Sequence, residues 1–132
     1  MIKRLTPTVI HPPLANYAHA TKVPPGARWL VLSGQLGIAA DGTIPEGTRA
    51  QAEICFQSIG VTLRQGAMDF ADIVRINTYL LDEADLADYM SVRDRYVADP
   101  APASTLMVVK SFSKKQFTVE IEIIAAKVDT HG

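Results

Sequence analysis

A run of alternating residues near the end of the chain restricts the possible folds more than any other feature. From residue 119 to residue 125, apolar side chains at every second position alternate with Glu120, Glu122 and Ile124. This period of two is that of a β-strand with one face against a core. Glu120 and Glu122 then share the other face, ~7 Å apart. Paired carboxylates on such a strand fit either a solvated sheet face or a cleft where a proton or a water molecule is handled.

Further β-rich segments indicate a sheet of several strands. Residues 103–112 form a second such segment, and the polar residues 113–116 separate it from the alternating run, which predicts an antiparallel hairpin. Residues 106–109 and 28–33 are apolar on both faces, so we expect both segments in the middle of a sheet. Short edge strands are expected at 2–5 and 18–23, because prolines interrupt the first 26 residues.

A first amphipathic helix is predicted from Gly47 to Gln65. Its apolar residues recur at helical spacing, Thr48 is placed to cap its start, and Gly66 is suited to its C-terminal end. Cys55 lies on the apolar stripe, so we interpret it as a core residue rather than a nucleophile.

A strand over residues 72–81 and a second helix follow. The strand is expected to direct Val74, Ile76, Thr78 and Leu80 towards the helices. The second helix is predicted from residue 83 to about residue 98, after a cap at Asp82. Two arginines of this helix, at positions 93 and 95, are assigned to its solvated side, with a subunit interface as the alternative for one of them.

The order of these elements predicts an α/β (α+β) fold in a single domain spanning residues 1–132. Two helices cover one face of a mixed sheet of about six strands. The uncovered face carries Ile124 and Ala126 beside the two glutamates and is too apolar for water alone. We therefore expect a homo-oligomer that buries this face.

Charge and composition exclude several classes of protein. The net charge is −1, and the 13 basic residues are scattered, which argues against nucleic-acid binding. A single cysteine fits a reducing compartment, and no secretory signal or membrane span is recognisable, so a cytoplasmic location is expected. His11, His19 and His131 are too far apart in the chain to indicate a metal site.

Four short motifs, in order and at similar spacing, carry a resemblance to a known family. They are Tyr17 to Ala20, Ser33 to Gln35, Pro102 with Ser104 and Thr105, and Val119 to Glu122 followed by Ile124 and Ala125. Together they resemble the Rid (YjgF-type) superfamily over nearly the whole chain. The resemblance implies a chorismate-mutase-like fold and a homotrimer with small-molecule clefts between its subunits.

The resemblance also implies an activity. The best-known Rid proteins are enamine/imine deaminases that use no metal or organic cofactor, and others are labelled as endoribonucleases. By this likeness, Glu120 activates the water that attacks the imine carbon, and Tyr17 is an orienting hydrogen-bond partner. The ligand-binding positions implied are Ser33, Gly34, Ala103, Ser104 and Thr105.

Ala103 departs from the family pattern, because the resembled deaminases carry an arginine here that holds the substrate carboxylate. A guanidinium makes two charge-assisted hydrogen bonds to a carboxylate and alanine makes none. Such a loss costs ~2–5 kcal/mol in binding. Either another cation replaces it, or the ligand is not a simple amino-acid-derived imine. The replacement cations considered are Arg28, Arg93, Arg95 and Lys110.

Three functions follow as hypotheses. The first is hydrolysis of an imine or enamine metabolite of unusual structure, and the second is a non-catalytic protein that binds a small metabolite in the same cleft. The third, RNA cleavage, rests on family labels alone and has no support in the charge balance.

Overall fold

The computed structural model describes residues 1–97 and 99–129 and contains seven strands and two α-helices in that part of the chain. The strands are β1 (Lys3–Leu5), β2 (Ala20–Lys22), β3 (Arg28–Val31), β4 (Gln35–Leu36), β5 (Ile73–Leu80), β6 (Ala103–Val108) and β7 (Val119–Lys127). The helices are α1 (Thr48–Gln65) and α2 (Leu86–Val97), and two short 3₁₀ turns span Phe70–Asp72 and Glu83–Asp85.

The main sheet is mixed, as predicted, with strand order β3-β7-β5-β6 and with β4 also paired to β7. The predicted hairpin between β6 and β7 is wrong. Strand β7 is inserted between β3 and β5, antiparallel to both, whereas β6 runs parallel to β5. Local strand propensity identifies both segments as strands, but it does not specify their partners, and the connecting residues are long enough to cross the end of β5.

Strands β3 and β6 are edge strands, which corrects the expectation that both lie in mid-sheet. Their apolar character on both faces leaves large side chains in contact with water in the single chain. Trp29 is 57% and Val31 is 71% exposed on β3, and Met107 and Val108 are each 51% exposed on β6. Both edges of the sheet are therefore apolar surfaces that favour association.

The core lies between the sheet and the two helices. Val119, Ile121, Ile123 and Ala125 of β7 are all buried, which confirms the alternation seen in the sequence. Cys55 is fully buried in this core, as predicted, and burial raises the pKa of its thiol to about 12. The thiol therefore stays protonated and is no nucleophile.

A β-bulge near the start of β5 changes the orientation that the sequence predicted for Val74. The register on β7 steps from Ala125 to Ile124 while β5 advances from Ile73 to Arg75, so Val74 is the extra residue. Ile73 therefore belongs to the core cluster and Val74 does not. Beyond the bulge, the alternation of β5 follows the prediction.

Three details of the helices differ from expectation. Gly47, not Thr48, precedes α1, and no side chain caps it, because the Thr48 hydroxyl donates to Oγ1 of Thr118 instead. The second helix begins at Leu86, after a 3₁₀ turn that Asp82 caps through the Ala84 amide, and its predicted end at residue 98 lies outside the described residues. Arg93 is buried rather than solvated.

The N-terminal segment contacts both β6 and α2, where Arg93 donates to the carbonyl of Asn16. Strands β1 and β2 form a separate two-stranded sheet, which confirms the predicted edge strands. The backbone amide of Ala18 donates to the carbonyl of Pro102, just before β6. No helix in the described residues is long and apolar enough to cross a membrane.

Candidate functional site

Glu120 lies on the uncovered face of the sheet, against a break between β3 and β4. Val31 of β3 is paired with Ile124, and Gln35 of β4 is paired with Ile121. The chain therefore advances four residues from β3 to β4 while β7 advances three. The extra residue lies within residues 32–34, so the strand is irregular at Ser33 and Gly34. The Glu120 carboxyl packs directly over Gly34, where an added Cβ would lie 2.8 Å from Cδ of Glu120. We call Ser33, Gly34 and Glu120 the glutamate site.

The two carboxylates on this face have different surroundings. Glu122 accepts hydrogen bonds from the Tyr79 hydroxyl at 2.6 Å and from the Asn77 amide at 3.2 Å. Among the hydrogen bonds and ion pairs of the described residues, none is made by the carboxylate of Glu120. Burial raises the pKa of Glu120, and the nearby charge of Glu122 raises it further. A carboxyl with a raised pKa and no protein partner is chemically suited to accept a proton from bound water.

A second feature, a pocket of about 360 Å³, opens on the helix-covered side of the sheet beside β6 and α2. Its polar wall consists of Tyr17, Tyr89, Arg93 and Ser104. Its apolar wall is formed chiefly by Leu14, Leu86, Met90 and Leu106. We call it the arginine pocket. A mainly apolar pocket with a few convergent polar groups is the usual form of a small-molecule site.

Arg93 is the charged residue of this pocket, and its side chain is only 2% exposed. Nη2 donates to the carbonyl of Asn16 at 3.0 Å, and Nη1 to the Asp94 carboxylate at 3.2 Å. Asn16 lies between two residues that line the pocket, so the guanidinium lies against the pocket wall. In the same wall, the Tyr17 hydroxyl accepts from the Leu14 amide at 3.2 Å.

The three predicted ligand residues of β6 do not face the same way. Ser104 is opposite the buried Ile76 in the β5 register and lies on the helix-covered side, in the arginine pocket. Ala103 and Thr105 lie on the opposite face, where Thr105 accepts a 2.8 Å hydrogen bond from Arg75. Ala103 is 8% exposed. Sequence reasoning missed Arg75, whose place opposite Ala103 appears only once β5 and β6 are paired.

The predicted site residues thus fall into two groups that a single chain does not bring together. Glu120 of β7 is paired with Tyr79 of β5, and Tyr79 is paired with Met107 of β6. Met107 lies three residues beyond Ser104 along β6. Strand spacings put Glu120 and Ser104 roughly 14 Å apart, and on opposite faces of the sheet. The glutamate site lies near one edge of the sheet and the arginine pocket near the other.

The other replacement cations are bound elsewhere or lie far from these groups. Arg28 pairs with Asp129 at 2.6 Å, and Arg95 pairs with Glu53 on the outer side of the helices. Lys110 is exposed beyond the end of β6. Within residues 1–97 and 99–129, no cluster of His, Cys, Asp and Glu side chains is arranged to hold a metal ion. His131, weighed above as a metal ligand, lies outside these ranges.

Solved structures share this fold. A Yersinia pestis protein described as YyfB, of unknown function and of the conserved Rid protein family, superposes with a TM-score of 0.84 at 23% identity, covering 96% of this chain and 98% of that one. RidA from the Antarctic bacterium Psychrobacter sp. PAMC 21119 superposes with a TM-score of 0.70 at 28% identity, covering 93% and 98%. The fold is therefore that of the Rid proteins.

Sequence comparison gives the family directly. A sequence model described as Endoribonuclease L-PSP matches residues 9–127. Protein HMF1 of Saccharomyces cerevisiae is 30% identical over 133 aligned positions, covering 98% of this chain and 100% of the relative. The chain belongs to the Endoribonuclease L-PSP family, the YjgF/Rid family, which confirms the resemblance found in its motifs.

Proposed function

We propose that this protein hydrolyses the imine or enamine form of a small metabolite and releases ammonia, in a cleft formed between subunits of a homotrimer. Glu120 is the base that activates water, and Tyr17 orients the ligand. The observation that carries the proposal is the contrast between the two carboxylates of β7. Oε1 of Glu122 accepts hydrogen bonds from both Tyr79 and Asn77, whereas the carboxylate of Glu120 has no hydrogen-bond or ion-pair partner among the described residues.

The chemistry needs one base and one water molecule. Glu120 accepts a proton from water as the water oxygen bonds to the imine carbon, and the resulting amine nitrogen is protonated. The carbon–nitrogen bond then breaks, ammonia leaves, and a carbonyl product remains. A base with a raised pKa suits this task, because it can return the proton during the same turnover.

The exposed apolar edges of the sheet support the location in a cleft between chains. The glutamate site and the arginine pocket are near opposite edges of the sheet, and both edge strands expose apolar side chains. A head-to-tail contact brings one edge of a chain against the other edge of its neighbour, and repetition of that contact closes a ring. A homotrimer of this kind unites the two groups in each cleft.

The test measures ammonia release from freshly generated 2-imino acids by the native protein and by Glu120→Gln. Loss of the base is expected to lower the rate about 10²- to 10⁴-fold. Glu122→Gln is the matched control, since it changes a carboxylate on the same face of the same strand and is expected to keep most of the activity at neutral pH. Equal rates for native protein and Glu120→Gln would refute the proposal.

A second candidate function is metabolite binding without turnover, which the replacement of the family arginine by Ala103 favours. In that case a ligand raises the melting temperature, by an amount that grows with the logarithm of its concentration above Kd, while no ammonia is released under any condition. The unpartnered Glu120 favours the hydrolase over this alternative.

RNA cleavage is named in the family description, but a net charge of −1 gives no reason to expect salt-dependent RNA binding. The cytoplasmic location stays a prediction, because the curated relatives include proteins described as mitochondrial.

A further inference from the structure

We infer that Arg93 holds the ligand's carboxylate in the arginine pocket and that the apolar wall beside it selects ligands carrying a branched or bulky apolar side chain. The ligand class is therefore a hydrophobic 2-imino acid, or the 2-oxo acid formed from it. The inference rests on the proposed function only for the reaction that the bound acid undergoes. Binding of the acid itself is a separate property of the pocket.

The first support is the charge and its environment. Arg93 is the only residue of formal charge among those that line the pocket in the described part of the chain. A buried guanidinium is stable only when its N–H groups are satisfied. Asp94, its acidic partner among the residues that the structure describes, has a carboxylate that is 47% exposed and therefore screened by water. Because this pairing is partly screened, the positive charge of Arg93 can still attract a ligand carboxylate.

The second support is the number of donors. A guanidinium has five N–H groups in a fixed plane. The described bonds of Arg93 engage Asn16 through Nη2 and Asp94 through Nη1, one on each terminal nitrogen. Each of these nitrogens carries a second N–H, so the side chain is held in place while donors remain for an anion. The hydroxyl of Ser104 lines the same pocket and can add a further hydrogen bond.

The third support is the shape and polarity of the remaining wall. Leu14, Leu86, Met90 and Leu106 surround a volume of about 360 Å³, larger than a methyl or ethyl substituent would fill. Burial raises the pKa of Tyr89 to about 12, so this phenol stays neutral and adds no negative charge near the guanidinium. An acid with an isobutyl or benzyl side chain matches both parts of the pocket.

The experiment uses the assembled native protein and unreactive probes, with calorimetry as the readout. 4-Methyl-2-oxopentanoate is expected to bind about 30-fold or more tightly than its methyl ester, which lacks the negative charge. It is also expected to bind roughly 30-fold more tightly than 2-oxopropanoate, which lacks three apolar carbons. Equal affinity for the acid and the ester would overturn the inference without any mutation.

Variants of one helix sharpen the test. Arg93→Met, which keeps the length of the side chain, is expected to weaken binding of the acid about 30-fold or more and to leave binding of the ester unchanged. Arg95→Met is the matched control, because Arg95 is exposed and lies two residues away, outside the pocket. If Arg93→Met does not fold, Arg93→Lys takes its place and is expected to bind with intermediate affinity, since lysine keeps the charge and loses the planar pair of donors. Native-like binding of the acid by either Arg93 variant would overturn the inference.

The failure of this inference is distinguishable from failure of the proposed function. Binding of the acid without ammonia release would refute the hydrolase and leave the role of Arg93 intact. If Arg93→Met releases ammonia with the native KM for hydrophobic imino acids, the role of Arg93 is refuted. The proposed hydrolase activity then stands.

Discussion

The glutamate site and the arginine pocket are opposites in charge, in polarity and in the way the fold builds them. The glutamate site is a negative group on an open sheet face, packed against a glycine at a strand break. The arginine pocket is a positive group buried between a helix and an irregular N-terminal segment, with leucines around it. One group is suited to activating water and the other to holding an anion. Neither constitutes a complete hydrolytic site, and this separation makes association of chains part of the proposed chemistry.

Mixing two inactive variants tests this division most severely. Glu120→Gln removes the base, and Ser104→Phe fills the arginine pocket, so each variant alone should retain about 1% of native activity or less. If every cleft takes one group from each of two chains, random mixing restores about a quarter of the native activity, because both groups are intact in one cleft out of four.

The measurement is ammonia release after the two variants are unfolded and refolded together in equal amounts. Each variant refolded alone is the control. If the mixture has only the average activity of the two separate variants, each chain carries a complete site. The two groups would then not be divided between chains.

Two glycine substitutions separate the chemistry of the glutamate site from the stability of the fold. Gly34→Ala places a Cβ against the tip of the Glu120 side chain, which can rotate away, so activity should fall about 10- to 100-fold with little loss of stability. Gly37→Ala instead places a Cβ 2.7 Å from Cα of Gln51 in α1, and backbone cannot move so easily. That variant should unfold more readily, by about 1–3 kcal/mol.

Urea denaturation and ammonia release, measured on both glycine variants, give the comparison. A Gly34→Ala protein with native activity would show that the position of the Glu120 carboxyl is not critical. A large loss of stability in the same variant would mean that Glu120 is held rigidly by its surroundings.

Tyr17→Phe, in the arginine pocket, should have a smaller effect on turnover. The hydroxyl is neutral and accepts one 3.2 Å hydrogen bond, from the Leu14 amide. Its removal costs ~0.5–1.5 kcal/mol, so turnover should change by no more than about tenfold. Steady-state kinetics on a 2-imino acid give the value, with Tyr79→Phe as the control on the opposite face of the sheet. A loss above a hundredfold would make Tyr17 a proton donor rather than an orienting residue.

The sequence predicted the elements whose pattern is local. Alternation in Val119–Lys127 identified β7 and both of its faces, and the apolar stripe of α1 identified a helix with Cys55 in the core. These predictions succeeded because a strand or helix in contact with a core repeats its apolar residues at a fixed period. The glutamate site was partly predictable for the same reason, since Glu120 interrupts an otherwise apolar strand.

What the sequence did not predict depends on contacts between distant segments. The pairing of β6 with β5 instead of β7 is a choice among equally suitable strands. Arg93 was expected in water because charged helix residues usually face solvent, and its burial results from Asn16, 77 residues away. The division of the site residues between two faces of the sheet follows from that pairing, so it too was beyond the reach of local patterns.

The smallest expected effect concerns the electrostatic repulsion between the two carboxylates of β7. The charge of Glu122 raises the pKa of Glu120, because it disfavours a second negative charge nearby. As a base, Glu120 must be ionised, so activity should decline as pH falls through the raised pKa of this carboxyl. Glu122→Gln removes the repulsion and lowers the pKa of Glu120. The acidic limb of the pH profile, where activity falls at low pH, should therefore move towards lower pH. Since burial is the larger cause of the raised pKa and remains in this variant, only part of the shift should be lost.

The pH profile of kcat/KM measures this shift, because it reports ionisation in the free enzyme. Tyr79→Phe is the matched control, since it removes a hydrogen bond to Glu122 and leaves the negative charge in place. A limb that moves to higher pH in Glu122→Gln, or does not move at all, would mean that the titrating group is not Glu120. The base would then have to be sought on the other side of the sheet, where no carboxylate lines the arginine pocket in the described part of the chain.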